Sequence, residues 1–282
     1  MLIRILVLFL LSVNSGLAET FTFSAIPDED ESRLKERFDK VAVYLSQELG
    51  VDVQYVPVKS YAATVTAFRN NQVQLAWFGG LSGVRARLLV PGSQAIAQGV
   101  EDPEFRSYLI ANAATGLTQS DGFPSGIKGR SFTFGSKGST SGRLMPEFYI
   151  REHFNAAPDA IFSRVGFSGN HSRTIALVQS GAYEVGAVNF KVWDNALKAG
   201  KVDPAKVAVI WTTPPYPDYQ WTIRGDVDAR WGEGFQEKVK AALLGIKNPD
   251  LLASFPRQGF IPASNDDYRP ILETGKAIGL ID

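Results

Sequence analysis

The chain has 282 residues, with 29 basic and 29 acidic side chains, two histidines and no cysteine. That composition excludes disulfides, thiol catalysis and thiolate metal sites. With only His153 and His171 available it also argues against a His-rich zinc site, and neither a metal nor a cofactor is expected. Net charge is near zero and no basic block appears, so nucleic acid is not an expected partner. A small anion stays compatible with this balance, because local dipoles rather than net charge hold such ligands.

The first residues, "MLIRILVLFLLSVNSGLA", carry a positive charge at Arg4, an apolar run over 5–11 and small residues at Gly16 and Ala18. This pattern predicts a secretory signal peptide cut after Ala18. Its apolar core falls short of the roughly 20 residues that span a bilayer, as does every later stretch. A soluble, exported protein is expected, free in a bacterial periplasm, since no cysteine is available for lipid attachment.

After the leader, 21–26 alternates as a strand. Leu34, Phe38, Val41, Leu45 and Leu49 then have the spacing of an amphipathic helix that Gly50 stops. The acidic run Asp28-Glu29-Asp30-Glu31 reads as favourable charge at that helix's N-terminus. Strand "VDVQYVPV" (51–58), helix "YAATVTAFRNNQ" (61–72), strand "VQLAWFGG" (73–80) and helix "LSGVRARLLV" (81–90) follow, with "QAIAQGV" and "FRSYLIANA" as two more strands. Strands alternating with helices predict a mainly parallel α/β sheet. A polar stretch, "TGLTQSDGFPSGIKG" (115–129), separates this half from a second. There, strand 131–134, helix 139–154, strand "IFSRVGF", helix "HSRTIALVQSG", strand "YEVGAVNF", helix "KVWDNALKAG" and strand "KVAVIWTT" succeed one another. A proline-rich break, "PPYPDYQW" (214–221), precedes two helices, "RWGEGFQEKVKAALLGI" and "YRPILETGKAIGLI". Two blocks and two breaks predict a bilobed molecule whose chain crosses twice: 19–114 with 222–282 as one lobe, 115–221 as the other. Ligands of such sheets sit outside the carboxyl ends of strands.

One such end is Gly138-Ser139-Thr140-Ser141-Gly142. Ser139 can cap the following helix, and the next N–H groups with three hydroxyls then suit an oxyanion. Pro146 cannot donate to the carbonyl of Gly142, so it should bend or loosen the first turns. A capped helix without a ligand is the plain alternative. The order G-S-K-G-S-T is not a Walker P-loop, and a G-x-S-x-G nucleophile elbow would need serine where Thr140 stands. A hydrolase using Thr140 or Ser141 with His171 stays open at this point.

Several stretches in order resemble one family: "YAATVTAFRNNQVQLAWFGG", "RSYLIANAATGL", "GSTSG" followed by Pro146, "FSGNHSRTIALVQSGAYEVGAV" and "PYPDYQWTIR". They are similar to the phosphate/phosphite/phosphonate-binding proteins of ABC importers. The resemblance covers nearly the whole chain after the leader. It implies a type II periplasmic binding fold, two α/β lobes with a two-crossing hinge that close on a tetrahedral oxyanion and deliver it to an inner-membrane ABC permease. No catalysis is implied, and a monomer is expected. By the same resemblance Ser139, Thr140, Ser141 and His171 hold the anion, and Tyr61 adds a donor from the first lobe. Trp77, Phe78 and Tyr108 are pocket wall, and Asp218 in the second crossing is an acid at the site. Asn189 stands where an acid for a cationic amine would be expected, which favours a small oxyanion with little organic tail. An Asp218 facing the site would accept a bond from a protonated phosphite, phosphonate or phosphate, and would repel sulfate or selenate. A sulfate- or selenate-binding relative, or one serving a sensor kinase, remains an alternative. Trp77 and Phe78 would be core residues by default, and His153 reads as an exposed helical residue.

Overall fold

Residues 19–29 and 31–282 are described by this computed structural model, which places the strands in two sheets. The leader 1–18 and Asp30 of the acidic run lie outside the described residues. In the first sheet the order is β11-β4-β10-β3-β1-β2, with β1 Phe21–Ala25, β2 Val53–Tyr55, β3 Leu75–Phe78, β4 Gln94–Gly99, β10 Gln220–Ile223 and β11 Phe260–Pro262. In the second it is β7-β6-β8-β5-β9, with β5 Ser107–Asn112, β6 Ser131–Phe134, β7 Arg164–Phe167, β8 Val185–Asn189 and β9 Val207–Thr212.

Both sheets are mixed rather than mainly parallel. β1 runs parallel to β2 and β3, but β10 is antiparallel to β3 and β4, and β5 to β8 and β9. The reason is the crossings. A strand that returns from the other lobe enters its sheet from the hinge end and runs against the strands beside it. β10 is such a strand, and its first two residues, Gln220 and Trp221, fall in the proline-rich break where the spacing predicts none. Where the spacing predicts one helix over 230–246, glycines separate two, Val227–Trp231 and Phe235–Leu244.

The lobe boundaries also move. β5 pairs within the second sheet, so the first crossing is 100–106 and not the polar stretch after 114; β10 puts Gln220 and Trp221 in the first lobe. Composition misplaces the first boundary because the hinge is buried: Phe105 is inaccessible to solvent and the polar stretch is merely a loop. The two crossings pair with each other, Phe105 N–H donating to Tyr216 O at 2.9 Å and Tyr216 N–H to Phe105 O at 3.0 Å.

Strand periodicity explains the cores. In β5 and β8 successive side chains point to opposite faces, so Leu109 and Ala187 join one apolar cluster and Ile110 and Val188 another. β3, "LAWF", is buried along its whole length, as expected of a strand covered on both faces. Its Phe78 packs edge-on against Phe68 while Trp77 meets Phe255 and Phe260 on the other face.

A buried ion pair braces the hinge. Arg257 donates to Asp102 Oδ1 at 2.7 Å, and Asp102 Oδ2 also accepts the Gly99 N–H at 2.7 Å. The backbone oxygen of Asp102 takes the Asp218 N–H at 3.0 Å, so the residue that the pair anchors also joins the two crossings. Burial alone would push the Asp102 carboxyl up, while the guanidinium opposes that. Replacing Asp102 by alanine strands the guanidinium among the Trp77, Phe105 and Tyr219 rings. The expected loss is about 3–5 kcal/mol of unfolding free energy, read from urea denaturation of both proteins; a loss below 1 kcal/mol would show that the hinge does not rely on the pair.

Candidate functional site

Helix starts surround the space between the lobes, and small polar residues put them there. Ser60 caps Tyr61–Arg69 by accepting from Ala63 N–H, and Asn170 caps His171–Gln179 by accepting from Arg173 N–H. Tyr61 and His171 therefore occupy first helical positions. Ser139 caps the next turn, its Oγ accepting from Gly142 N–H at 2.9 Å.

That turn is π-helical over Thr140–Leu144 and passes into an α-helix, Met145–Phe154. Pro146 is the cause, as the sequence suggests: it supplies no N–H to Gly142 O, which instead accepts from Gly135 N–H at 2.7 Å. Leu144 N–H reaches back five residues to Ser139 O at 3.0 Å. A π-turn of this sort is frequent at functional sites. The N–H groups of Thr140 and Ser141, first in the turn, have no partner inside it.

The helix Gly80–Leu89 is capped from outside itself. Its Gly80 N–H donates to Asp218 Oδ1 at 2.8 Å, and its Leu81 N–H donates to Thr140 Oγ1 at 3.0 Å. Asp218 belongs to the hinge and Thr140 to the second lobe, so this helix end is satisfied only with the lobes together. Gly79 permits the approach: a Cβ there would lie 3.1 Å from Asp218 Oδ1 and 3.4 Å from Thr140 Oγ1. Gly138 does the same for Tyr61, whose Cβ would be 3.1 Å from a Cβ at that glycine.

Four buried polar atoms in this cluster have no hydrogen-bond partner: Tyr61 Oη, Ser141 Oγ, His171 Nε2 and Asp218 Oδ2. Leaving such groups unmatched costs about 1–3 kcal/mol each, so their concentration at one place marks a site built for something polar. His171 is a neutral donor there. Burial pushes its pKa down to about 3, and its Nδ1 accepts from Asn189 N–H at 3.2 Å, which leaves the proton on Nε2. Burial lifts the Asp218 carboxyl to about 7 against the Thr140 hydroxyl and Gly80 N–H, which favour its ionised form. Tyr61 Oη lies beside Ser139 and Tyr219, and burial holds its pKa well above the ordinary phenol value.

Of the residues singled out in the sequence, Tyr61, Ser139, Thr140, Ser141, His171 and Asp218 come together, with the three hydroxyls in different parts. Ser139 is the cap, Thr140 takes the Leu81 N–H across the lobe boundary, and of the three only Ser141 Oγ has no hydrogen-bond partner. Asn189 stands behind the cluster: its Oδ1 caps Phe190–Lys198 and its Nδ2 donates to Tyr219 Oη at 2.9 Å. Trp77 is stacked behind Tyr219, with ring centroids 5.5 Å apart. Phe78 and Tyr108 are not brought in. Phe78 points to the opposite face of β3, as strand alternation requires, and Tyr108 lies against Phe190 and Asp194. His153 is at the surface, bonded to Ser125 and stacked on Phe123. Thr140 and His171 form no nucleophile–base pair: Thr140 Oγ1 accepts from Leu81 N–H, and His171 Nε2 has no hydrogen-bond partner. Among the described residues no cluster suited to a metal ion occurs.

Sequence reasoning missed Asp28 and Tyr219. Asp28 Oδ2 accepts from Tyr219 Oη at 2.8 Å, and its carboxyl is raised to about 7 by burial and by Glu29. Asp28 lies just past the carboxyl end of β1, which was the available signal; the acidic run masked it. Glu29 is paired with Arg37 at 3.0 Å instead of serving the helix terminus.

Residues 23–268 match the family described as ABC transporter, phosphonate, periplasmic substrate-binding protein. The chain is 40% identical over 270 residues to the probable ABC transporter phosphite binding protein PhnD1 of Prochlorococcus marinus (strain MIT 9301), covering 91% of this chain and 89% of that one. The structure of PhnD1 from that organism in complex with methylphosphonate superposes with a TM-score of 0.88 at 41% identity, covering 93% of this chain and 99% of that one. A binding protein component of an ABC phosphonate transporter from Pseudomonas aeruginosa shares the fold, with a TM-score of 0.79 at 22% identity over 91% of this chain and 85% of that one. The architecture is the two-lobed type II periplasmic binding fold. Among the described residues no helix is long and apolar enough to cross a membrane.

The Asp218 environment sets a pH dependence. Its folded pKa of about 7 lies above the ordinary 3.8, so the folded protein retains a proton that the unfolded chain has released. The associated stability is complete below about pH 4 and is lost as pH rises to 7. Asp218→Asn removes that loss, so the melting temperature of the wild type should fall relative to the variant between pH 4 and 7 in ligand-free protein. Parallel pH profiles would contradict the assignment.

Proposed function

This chain belongs to the periplasmic substrate-binding proteins of phosphonate ABC transporters, and we propose that its ligand is a small tetrahedral phosphorus oxyanion that still carries a proton. The family's members bind a substrate and pass it to a membrane permease; they are not enzymes. The observation that carries the ligand proposal is the set of four unpartnered buried atoms, three of them donors and one a carboxyl oxygen.

Ser141 Oγ, Tyr61 Oη and His171 Nε2 together with the N–H groups of Thr140 and Ser141 offer donors to negatively charged oxygens. They are neutral, and their alignment with helix starts adds the favourable end of the helix dipole. Asp218 Oδ2 reads the proton. An ionised carboxylate accepts a hydrogen bond from a P–OH group, while a fully deprotonated anion such as sulfate or selenate meets repulsion with nothing to donate. Phosphite and methylphosphonate fit this description, and both appear in what the Prochlorococcus relative is said to bind.

Binding then works by population shift. Contacts from both lobes and the hinge favour the closed arrangement, by as much as the anion's differential affinity for it. Export through the 1–18 leader and action as a free monomer belong to the same proposal.

Calorimetry of the purified protein against phosphite, methylphosphonate, phosphate, sulfate and selenate tests it. A protonatable phosphorus oxyanion should bind tightest, with sulfate and selenate far behind. Ser141→Ala should weaken that ligand by about 1.5–3 kcal/mol, or roughly ten- to a hundredfold. Asp218→Asn should narrow the gap to sulfate. Equal affinity for sulfate in the wild type, or an unaffected Ser141→Ala protein, would overturn the reading.

A further inference from the structure

Four hydrogen bonds close a ring across the cleft behind the four unpartnered atoms. Tyr219 Oη donates to Asp28 Oδ2 at 2.8 Å, and Asn189 Nδ2 donates to Tyr219 Oη at 2.9 Å. Asn189 N–H donates to His171 Nδ1 at 3.2 Å, and His171 N–H donates to Asp28 O at 3.0 Å. Asp28 follows β1 of the first lobe, Tyr219 is in the second crossing, and Asn189 and His171 belong to the second lobe.

Each member is held from behind. Tyr219 is stacked on Trp77 and tilted against Phe105 at 5.3 Å, so its hydroxyl has little freedom to leave the ring. Asn189 Oδ1 is bound to Lys191 N–H at 2.7 Å and Val192 N–H at 3.2 Å, which turns Nδ2 toward the tyrosine. The single phenolic proton of Tyr219 is committed to Asp28, so Tyr219 presents no donor to an anion.

We propose that Asp28 and Tyr219 are positioning residues for ligand capture: through this ring they lock the lobes closed and hold the His171–Asn189 pair with the imidazole Nε2–H aimed at the ligand. The proposal rests on the oxyanion reading of the site. Opening the lobes separates Asp28 O from His171 N–H and breaks the tyrosine's link to one side or the other. The ring therefore counts toward closure alone, and its loss acts on every ligand by the same factor. Asp218 differs, since it faces the ligand and changes the ratio between ligands.

The test compares wild type, Asp28→Asn, Tyr219→Phe and the double variant, each folded protein being confirmed by its near-ultraviolet circular dichroism. Affinities for phosphite, methylphosphonate and phosphate are measured together with the dissociation rates. Each single variant should weaken all three by a common factor of about ten, chiefly through faster release. The double variant should be no weaker than Tyr219→Phe, because both act through one bond. With two histidines in the chain, nitrogen-15 spectra isolate the His171 ring. A sharp Nε2–H signal in the wild type should broaden in Tyr219→Phe, which general loosening of the fold would not confine to this residue.

Unchanged affinities, additive single effects, or a change restricted to one ligand would overturn the ring proposal while leaving the oxyanion reading intact. Failure of the wild type to bind any of the three defeats the oxyanion reading instead. The ring is then judged on the His171 signal of ligand-free protein, which supports it if sharp only in the wild type and overturns it if Tyr219→Phe is the same.

Discussion

The N-terminus of the helix Gly80–Leu89 has to be satisfied by groups that are not its own. Its cap residue is Gly79, without a side chain to accept a bond, and its first N–H groups are buried. An unpaired buried N–H is costly, and here the partners are Asp218 of the hinge and Thr140 of the opposite lobe. A local defect in capping thus becomes a reason for the lobes to meet. It also engages one Asp218 oxygen and leaves the other, Oδ2, without a partner.

The same economy runs through the rest of the cleft. Groups that local structure leaves over are used across the lobe boundary, and groups left over after that define the site. Pro146 frees the carbonyl of Gly142 and opens a π-turn, whose first N–H groups then have no internal partner. Burial keeps His171 neutral and the backbone of Asn189 sets its tautomer. No lysine or arginine is among the atoms left unpartnered at the cleft, which are two hydroxyl oxygens, an imidazole nitrogen and one carboxyl oxygen. The buried Asp102–Arg257 pair holds the crossing on which that carboxyl sits.

Much of this was legible in the sequence. The alternation of strands and helices, the cap at Ser139 and the hydroxyl cluster before Pro146 are local features, written in a few consecutive residues, and they carried the expectation of a bilobed α/β protein with small polar groups gathered at a strand end. The order of motifs along the chain carried the family. Local patterning also predicted the periods of the core strands, because side chains alternate along a strand whatever surrounds it.

Tertiary structure decided the rest, because it depends on residues far apart in the chain. Which sheet β5 joins follows from pairing with β8 and β9, not from its own composition, and the first crossing moved accordingly. The family resemblance put Phe78 and Tyr108 in the pocket wall, but the direction of each side chain was set by the face its strand presents. Asp28, read as helix charge, is bonded to a tyrosine 191 positions away. Of three adjacent hydroxyls, the sequence named Ser139 as the cap, but only the fold determined that Thr140 takes a bond from the other lobe and that Ser141 is left without a partner. Sequence specified the donors; long-range packing, by desolvating some and pairing others, determined which of them remain to bind.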